Sequence, residues 1–546
     1  MNPKKTSFAS NVLMMMAAQF LIKILGLVYR LVILNIEGFG DVGNGYYSAG
    51  YQVYAVLLIL SSQGIPGAIS KLVSDRVALG EYRKAHRVFK VALILVGLIG
   101  LAVSLLLLVF SDFIASSILH VPEVTYVLKV LSPAIFFVCV SAVIRGYFAG
   151  LGTMKATSIS QPLEQFFNCV LTIAFVYALV GRDPYIMAAG GNVSTTLAVM
   201  ISFSYLLIFY KRNIGKYSED HSEEAPEERE SSLRLAKLVL LTAIPLTIGS
   251  LISVITAFID TITVSNCIQI AFRDILHDKE LLEIEAMRAT GILSKVDTLV
   301  NLPLAINLAF YSVLIPELTG LITVGDREGA SRKISSSLSV SSLIILPCAV
   351  GFIVLADPIL RMLYPNAPDG ALVLQISAFT MIFVALGHTL QGALFGLGRM
   401  YTPAVALTVG SVIKVFLNLI LISNPKIGMY GAVISSLICQ LITFTIIVVV
   451  LRRTIPFRVD KVKTILAPAG ASLLMGLIII GVQLLLQEKL GNTILTLLCI
   501  LIGVVVYGMT VALLRVFTRE EICALPMGGR LYALLTRLRI YQEEEA

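Results

Sequence analysis

Residues 91–110 read VALILVGLIGLAVSLLLLVF, twenty positions without one charged side chain. As an α-helix rising 1.5 Å per residue, such a run is about 30 Å long, the thickness of a bilayer's hydrocarbon core. Working outward, comparable runs recur along the whole chain. They predict helices near 8–34, 46–70, 88–111, 124–150, 157–180 and 184–210, then 235–259, 289–318, 335–356, 370–396, 401–422, 428–451, 463–487 and 491–516. Breaks fall at turn formers such as Gly181 to Pro184 and Ser423 to Pro425. Only 14% of the 546 residues are charged and the mean hydropathy is +0.89. A soluble chain carries roughly 25% charged residues, so there is too little charge here to coat soluble domains. A membrane β-barrel needs short alternating segments, which are missing. The fold class expected is an all-α integral membrane protein of about fourteen transmembrane helices.

The basic residues orient these spans. With the N-terminus in the cytoplasm, 29 of the 42 Lys and Arg fall in inside segments, 8 in outside segments or at a helix mouth, and 5 within helices. That bias is what the positive-inside rule expects of a multi-pass membrane protein, and it places both termini in the cytoplasm. The net charge of +8 is thus a membrane-orientation signal, and no nucleic-acid partner is expected. Seven Cys and five His are scattered, so neither a metal site nor a cofactor is expected. No cleaved signal peptide is evident, because the first apolar stretch is too long and carries charges. Without Trp, the interfacial aromatic belt would fall to Tyr29, Tyr46, Tyr47, Tyr51, Tyr364 and Tyr430.

The chain carries an internal echo. RGYFAGLGTM at 145–154 returns as QGALFGLGRM at 391–400, with Gly146, Gly150, Leu151, Gly152 and Met154 matched. Ile65-Pro66 and Gly80-Glu81 return in the same order as Ile315-Pro316 and Gly325-Asp326. Because six spans, an even number, precede the second copy, the repeats are parallel. The expected layout is an N-lobe of six helices over 1–210, an acidic cytoplasmic linker over 211–234, a C-lobe of six helices over 235–451, two further helices over 452–516, and a cytoplasmic tail over 517–546. Two pseudo-symmetric lobes suggest alternating access around a central site at mid-membrane depth.

Charges inside spans cost ~2.5–3.5 kcal/mol at a helix centre, so each must face a wet cavity, pair or snorkel. Lys23 and Arg30 lie seven residues apart on the first helix, hence on nearly one face and ~10 Å apart along it, with Gly26 between them. A column of two cations suits an elongated anion such as a diphosphate, Arg offering a fork and Lys a point charge. The bland reading has Arg30 snorkelling and Lys23 paired with a carboxylate. Lys295 is a third cavity cation candidate, and Asp297, two residues on, would face a neighbour. Arg145 sits near the cytoplasmic end of its helix, where snorkelling and ligand binding are equally open. Gln161, Glu164, Gln165 and Asn168 form a polar stripe, and a structural Glu164–Arg145 pair is the preferred reading over a proton-carrying Glu164. Asp260 ends the seventh helix. Lys414 and Asn418 share a face of the eleventh, so an Asp260–Lys414 coupling or locking pair is a further candidate.

No catalytic constellation and no phosphate-binding Walker A pattern is present, so the chain is read as a transporter and not an enzyme. The segments KILGLVYR (23–30), GIPGAISKLVS (64–74), RGYFAGL (145–151), SQPLEQ (160–165) and VNLPLAI (300–306) together resemble the stage V sporulation protein B group. That group lies in the polysaccharide transporter branch of the multidrug/oligosaccharidyl-lipid/polysaccharide (MOP) exporter superfamily and is similar to the MurJ lipid II flippases. The resemblance runs from about residue 8 to 516. It implies ATP-independent flipping of an undecaprenyl-diphosphate-linked saccharide, such as lipid II or another cell-wall precursor, from the inner to the outer leaflet. Lys23 and Arg30 match the family's first-helix basic pair, with Lys in place of the more usual Arg. It also implies contact with membrane lipid, with cell-wall synthesis enzymes as candidate partners of a monomer, in vegetative growth or sporulation. Some relatives use a sodium site in the second lobe. Asp260 matches its carboxylate, but Lys414 falls where a neutral ligand is expected, which leaves Na+, H+ or membrane potential as the driving force. The competing readings are a drug or organic-cation exporter of the same superfamily and an integral-membrane glycosyltransferase or polymerase.

Overall fold

A computed structural model of the chain describes residues 8–214, 231–457 and 460–514. The acidic run 217–230, the tail from 517 and Cys523 lie outside the described residues. Helix makes up 87% of the structure and no strand occurs among the described residues, as the apolar runs dictate. The helices are α1 (Phe8–Leu34), α2 (Gly40–Leu58), α3 (Ile65–Ala78), α4 (Tyr82–Phe113), α5 (Val124–Gly150), α6 (Lys155–Ala178), α7 (Pro184–Asn213) and α8 (Ser232–Phe272). They continue as α9 (Lys279–Thr323), α10 (Arg327–Val354), α11 (Ala356–Leu363), α12 (Ala371–Gly396), α13 (Tyr401–Ile422), α14 (Tyr430–Thr454), α15 (Ala467–Leu486) and α16 (Asn492–Leu513).

Every predicted span coincides with a helix, and 8–34, 124–150 and 401–422 correspond at the level of element order with α1, α5 and α13. The predicted 46–70 span is longer in the structure. A π-turn at Ile59–Gln63 joins α2 to α3, and Pro66 sits in the first turn of α3, where its missing N–H costs nothing. Eleven stretches of the described residues are long and apolar enough to cross a membrane. Helices α1, α6 and α9 are not among them; these are the helices that carry Lys23 and Arg30, the polar stripe, and Lys295.

The chain forms two compact units. The first takes the described residues up to Lys295 together with Val415–Ala432, and the second takes Val296–Lys414 with the described residues from Val433 onward. The first unit has one extensive core, which includes Ile33, Phe39, Val127, Leu128, Met187 and Ile268. Four of the six tyrosines expected at the membrane interface are a correction: Tyr29, Tyr46 and Tyr47 are buried in this core and Tyr364 of the second unit is fully buried, whereas Tyr51 is exposed and Tyr430 half-buried. The buried rings fill space between helices, a use of aromatic bulk that sequence does not separate from interfacial anchoring.

The echo in the sequence is an echo in backbone geometry. After α5, Gly152 takes φ +83°, and the amides of Leu151, Gly152 and Thr153 donate to the carbonyls of Tyr147, Ala149 and Phe148. After α12, Gly398 takes φ +75°, and the amides of Leu397, Gly398 and Arg399 donate to the carbonyls of Ala393, Phe395 and Leu394. Both are helix ends closed by a left-handed glycine. Gly80 and Gly325 repeat the match, each at φ +80° between two helices. Packing repeats too. A methyl group on Gly150 would meet Val73 and the Ser70 carbonyl, and one on Gly396 would meet Leu318 and the Ile315 carbonyl.

Candidate functional site

The first unit gathers most of the candidate residues. The end of this bundle at which α1 begins is its near end, and the opposite one, with residues 35–39 and 119–123, its far end. Lys23 is exposed on α1 and makes no hydrogen bond or ion pair among the described residues. One helical turn before it, the Gln19 amide donates to the Gln161 oxygen of α6 at 3.1 Å. Gly26 faces Gln165 of α6. Arg30, half-buried two turns beyond Lys23, donates from one guanidinium nitrogen to the Ser294 hydroxyl (2.7 Å) and carbonyl (3.1 Å) on α9. The Ser294 hydroxyl in turn lies 2.7 Å from that of Ser48 on α2. These two contacts of the guanidinium join α1 to α9 through neutral oxygens.

The far end of α2 crosses α9 at two glycines. A methyl group on Gly45 would fall 1.9 Å from the Met287 carbonyl oxygen, and one on Gly291 would fall 1.8 Å from that of Asp41. The backbones therefore touch, as small residues permit in membrane helix pairs. Asn44 donates to the Gly291 carbonyl at 2.7 Å. Lys295, expected among the cavity cations, is a correction in this conformation: it is fully buried and its ammonium lies 2.6 Å from the Asp41 carboxylate. The cation is inside the seal between α2 and α9 and not at an open surface. Removing one partner of such a pair leaves an uncompensated buried charge at about 3–5 kcal/mol. Sequence reading missed Asp41. An acidic residue in a helix's first turn ordinarily signals only the helix dipole, and its partner is 254 positions away.

Arg145 neither snorkels nor stands open. It is buried, donating to the Ser160 hydroxyl (2.9 Å), the Ser202 hydroxyl (3.0 Å) and the Glu164 carboxylate (2.8 Å). The expected Glu164–Arg145 pair is therefore present and ties α5, α6 and α7 together. Asn168, from the same stripe on α6, accepts the Ser194 hydroxyl at 2.9 Å. Farther along, Asn418 of α13 is fully buried and its amide donates to Asp260 (3.0 Å) and Thr263 (2.8 Å) of α8. Lys414, one turn before Asn418, is also buried, whereas Asp297 is exposed on α9.

Comparison with known proteins gives a consistent picture. A family model described as polysaccharide biosynthesis protein matches residues 8–322. The chain is 22% identical over 529 residues to stage V sporulation protein B of Bacillus subtilis (strain 168), covering 96% of this chain and 99% of that protein. It is 25% identical over 420 residues to the lipid II flippase MurJ of the same organism, covering 74% and 75% of the two chains. Among solved structures, a lipid II flippase MurJ in an inward closed conformation superposes with a TM-score of 0.69 at 17% identity, over 91% of this chain and 98% of that one.

Proposed function

The chain belongs to the polysaccharide biosynthesis protein family, and on that premise we propose that it is a flippase for an undecaprenyl-diphosphate-linked saccharide, a cell-wall precursor of the lipid II type. The observation that carries the reading is the column of two cations along α1, an exposed Lys23 and a half-buried Arg30 that reaches Ser294, below a sealed far end. A diphosphate offers Arg30 a charged acceptor in place of the Ser294 hydroxyl, and charge-assisted bonds are about twice as strong as neutral ones. Binding then draws Arg30 off Ser294 and loosens the tie to Ser48. That weakens the side of the α2–α9 crossing nearest the cargo, so the ligand favours the conformation in which the far end opens. The two cations on α1 disfavour an organic-cation cargo.

We read the near end as cytoplasmic from the distribution of Lys and Arg, which makes the far end the outer mouth. For the driving force, Lys414 stands in the sequence where a neutral ligand of a sodium site is expected, which disfavours sodium. Membrane potential acting on the charged cargo, or protons, is the reading we adopt over sodium. The test is leaflet accessibility of lipid II in cells depleted of this protein and complemented with Lys23→Ala or Arg30→Ala at equal expression. Loss of outer-leaflet signal is expected for both variants, most severely for Arg30→Ala. Undiminished flipping in both would discard the cationic site, and export of an organic cation by the parent would replace the cargo.

A further inference from the structure

The turn that follows α4 ties the far end to α8 and α9. A π-turn at Ile114–Ile118 leads into Leu119 and Val121, both fully buried, with His120 at φ 54° between them. Non-glycine residues rarely take such a backbone, which costs of order 1–3 kcal/mol and persists only when its surroundings impose it. Here α8 imposes it. Ser265 donates to the Leu119 carbonyl (2.6 Å), Asn266 to that of Ile118 (2.9 Å) and Gln269 to that of His120 (3.0 Å). The His120 ring nitrogen Nδ1 lies 2.5 Å from Asn266 Oδ1. Three residues on, Glu123 stands immediately before α5 and reaches toward α9.

There it meets a second acid. Glu283, in the second turn of α9, is 6% exposed, and its carboxyl lies within hydrogen-bonding reach of that of Glu123. One Glu123 oxygen, Oε2, is buried with no hydrogen-bond partner among the described residues. The remaining surroundings compensate little. Lys279 approaches Glu283 at 3.5 Å from a largely exposed position, Glu280 adds a like charge nearby, and the other facing groups are the phenols of Tyr46 on α2, Tyr185 on α7 and Tyr126 on α5. Two ionised carboxylates in contact repel, whereas one shared proton turns the contact into a hydrogen bond. Burial first, and the neighbouring Glu123 next, push the Glu283 carboxyl up to about 7 against the opposing pull of Lys279.

We propose that the Glu123–Glu283 contact is a proton-operated clasp, closing the far end between α5 and α9 when it holds a proton and releasing it when both carboxyls are ionised. The clasp rests on the alternating-access reading given above, in which the far end is the outer mouth. It lies two helical turns from Gly291 and three from Lys295 on the same helix, so its release lifts the outer part of α9 away from the seal that Asp41 and Lys295 complete. The proton enters and leaves on one side. It therefore biases the protein toward the closed far end in acid surroundings and does not itself drive transport.

The absence of Trp from the chain supplies the reporter. Full-length protein carrying Tyr185→Trp is reconstituted in phospholipid vesicles, and acrylamide quenching of its single tryptophan is followed from about pH 5 to about pH 9. Quenching should be low in acid and rise in one step with a midpoint near pH 7, since each pH unit changes the protonated-to-ionised ratio tenfold. Glu283→Gln should abolish the step and keep quenching low throughout, and Glu123→Gln should lower the midpoint by about one unit. His120→Gln should retain the step. A step that persists in Glu283→Gln, a step lost in His120→Gln but not in Glu283→Gln, or no step in the parent overturns the clasp. None of these readouts involves cargo. Failure of the clasp therefore leaves the flippase reading standing, and failure of flipping in the Lys23 and Arg30 variants leaves the titration unchanged.

Discussion

At the residue scale, the difference between Arg and Lys separates the two first-helix cations. Arg30 spans a hydroxyl and a carbonyl of Ser294 with one nitrogen of a planar five-donor fork, whereas a Lys there has a point charge and no fork. Arg30→Lys should therefore cut flipping by about tenfold, the loss of roughly one charge-assisted bond, while Lys23→Arg should leave it near the parent level. Lipid II accessibility at matched expression measures both. The Asp41–Lys295 pair gives a stability prediction. Asp41→Asn or Lys295→Met alone should destabilise the detergent-solubilised protein by about 3–5 kcal/mol. The double variant should recover most of that in the same denaturation assay, because it leaves no orphaned charge. Glu283 adds a pH dependence whose sign follows from its raised folded-state value. Its stabilising contribution is complete below the ordinary Glu range, about 4.3, and is lost as pH rises through about 7. Thermal stability of the parent should fall across that window, and that of Glu283→Gln should fall less.

At the element scale, the decisive contact is the α2–α9 crossing. It closes because two glycines let one backbone lie on the other, and a methyl group on Gly291 would stand 1.8 Å from a carbonyl oxygen of a helix that cannot yield locally. Gly291→Ala should hold the far end apart, abolish flipping and raise far-end reactivity toward a membrane-impermeant thiol reagent at an introduced Asn44→Cys. Gly320→Ala on the same helix, where nothing lies within 4 Å of the added methyl, should behave as the parent. The same scale shows why the duplication was readable. Left-handed glycine ends such as Gly152 and Gly398 are set by local sterics, so a ten-residue stretch with five matched positions carries both the sequence signal and the backbone geometry. The four buried tyrosines depart from expectation for the complementary reason: a ring in a membrane helix serves core or interface equally well, and only its neighbours decide.

At the scale of the whole molecule, the chain is two units whose division runs inside α9, α13 and α14 and not at the acidic linker. The far-end parts of helices from the second half of the chain belong to the first unit, which is how residues as distant in sequence as Asn266 and Ile118, or Lys295 and Asp41, come into contact. The energy source belongs to this scale as well. With Lys414 buried near Asn418, replacing sodium by potassium in the medium should leave lipid II flipping unchanged at constant membrane potential, and collapsing that potential should depress it. A requirement for sodium would refute the reading of Lys414 as a resident charge in that region.

Hydropathy, spacing and the Lys/Arg distribution were sufficient for the all-helical membrane class, the element order, the repeated turns and the choice of α1 and α6 as polar helices. Each of these is a local property, decided within one helix or one turn. The pairing of Glu164 with Arg145 was also legible, because a short turn joins the helices that carry them. The partners of Lys295 and Glu283 were not. A buried charge reveals in sequence only that it must be neutralised, and which side chain does so depends on how helices hundreds of residues apart cross. At the α2–α9 contact that crossing is set by the fit of two glycines.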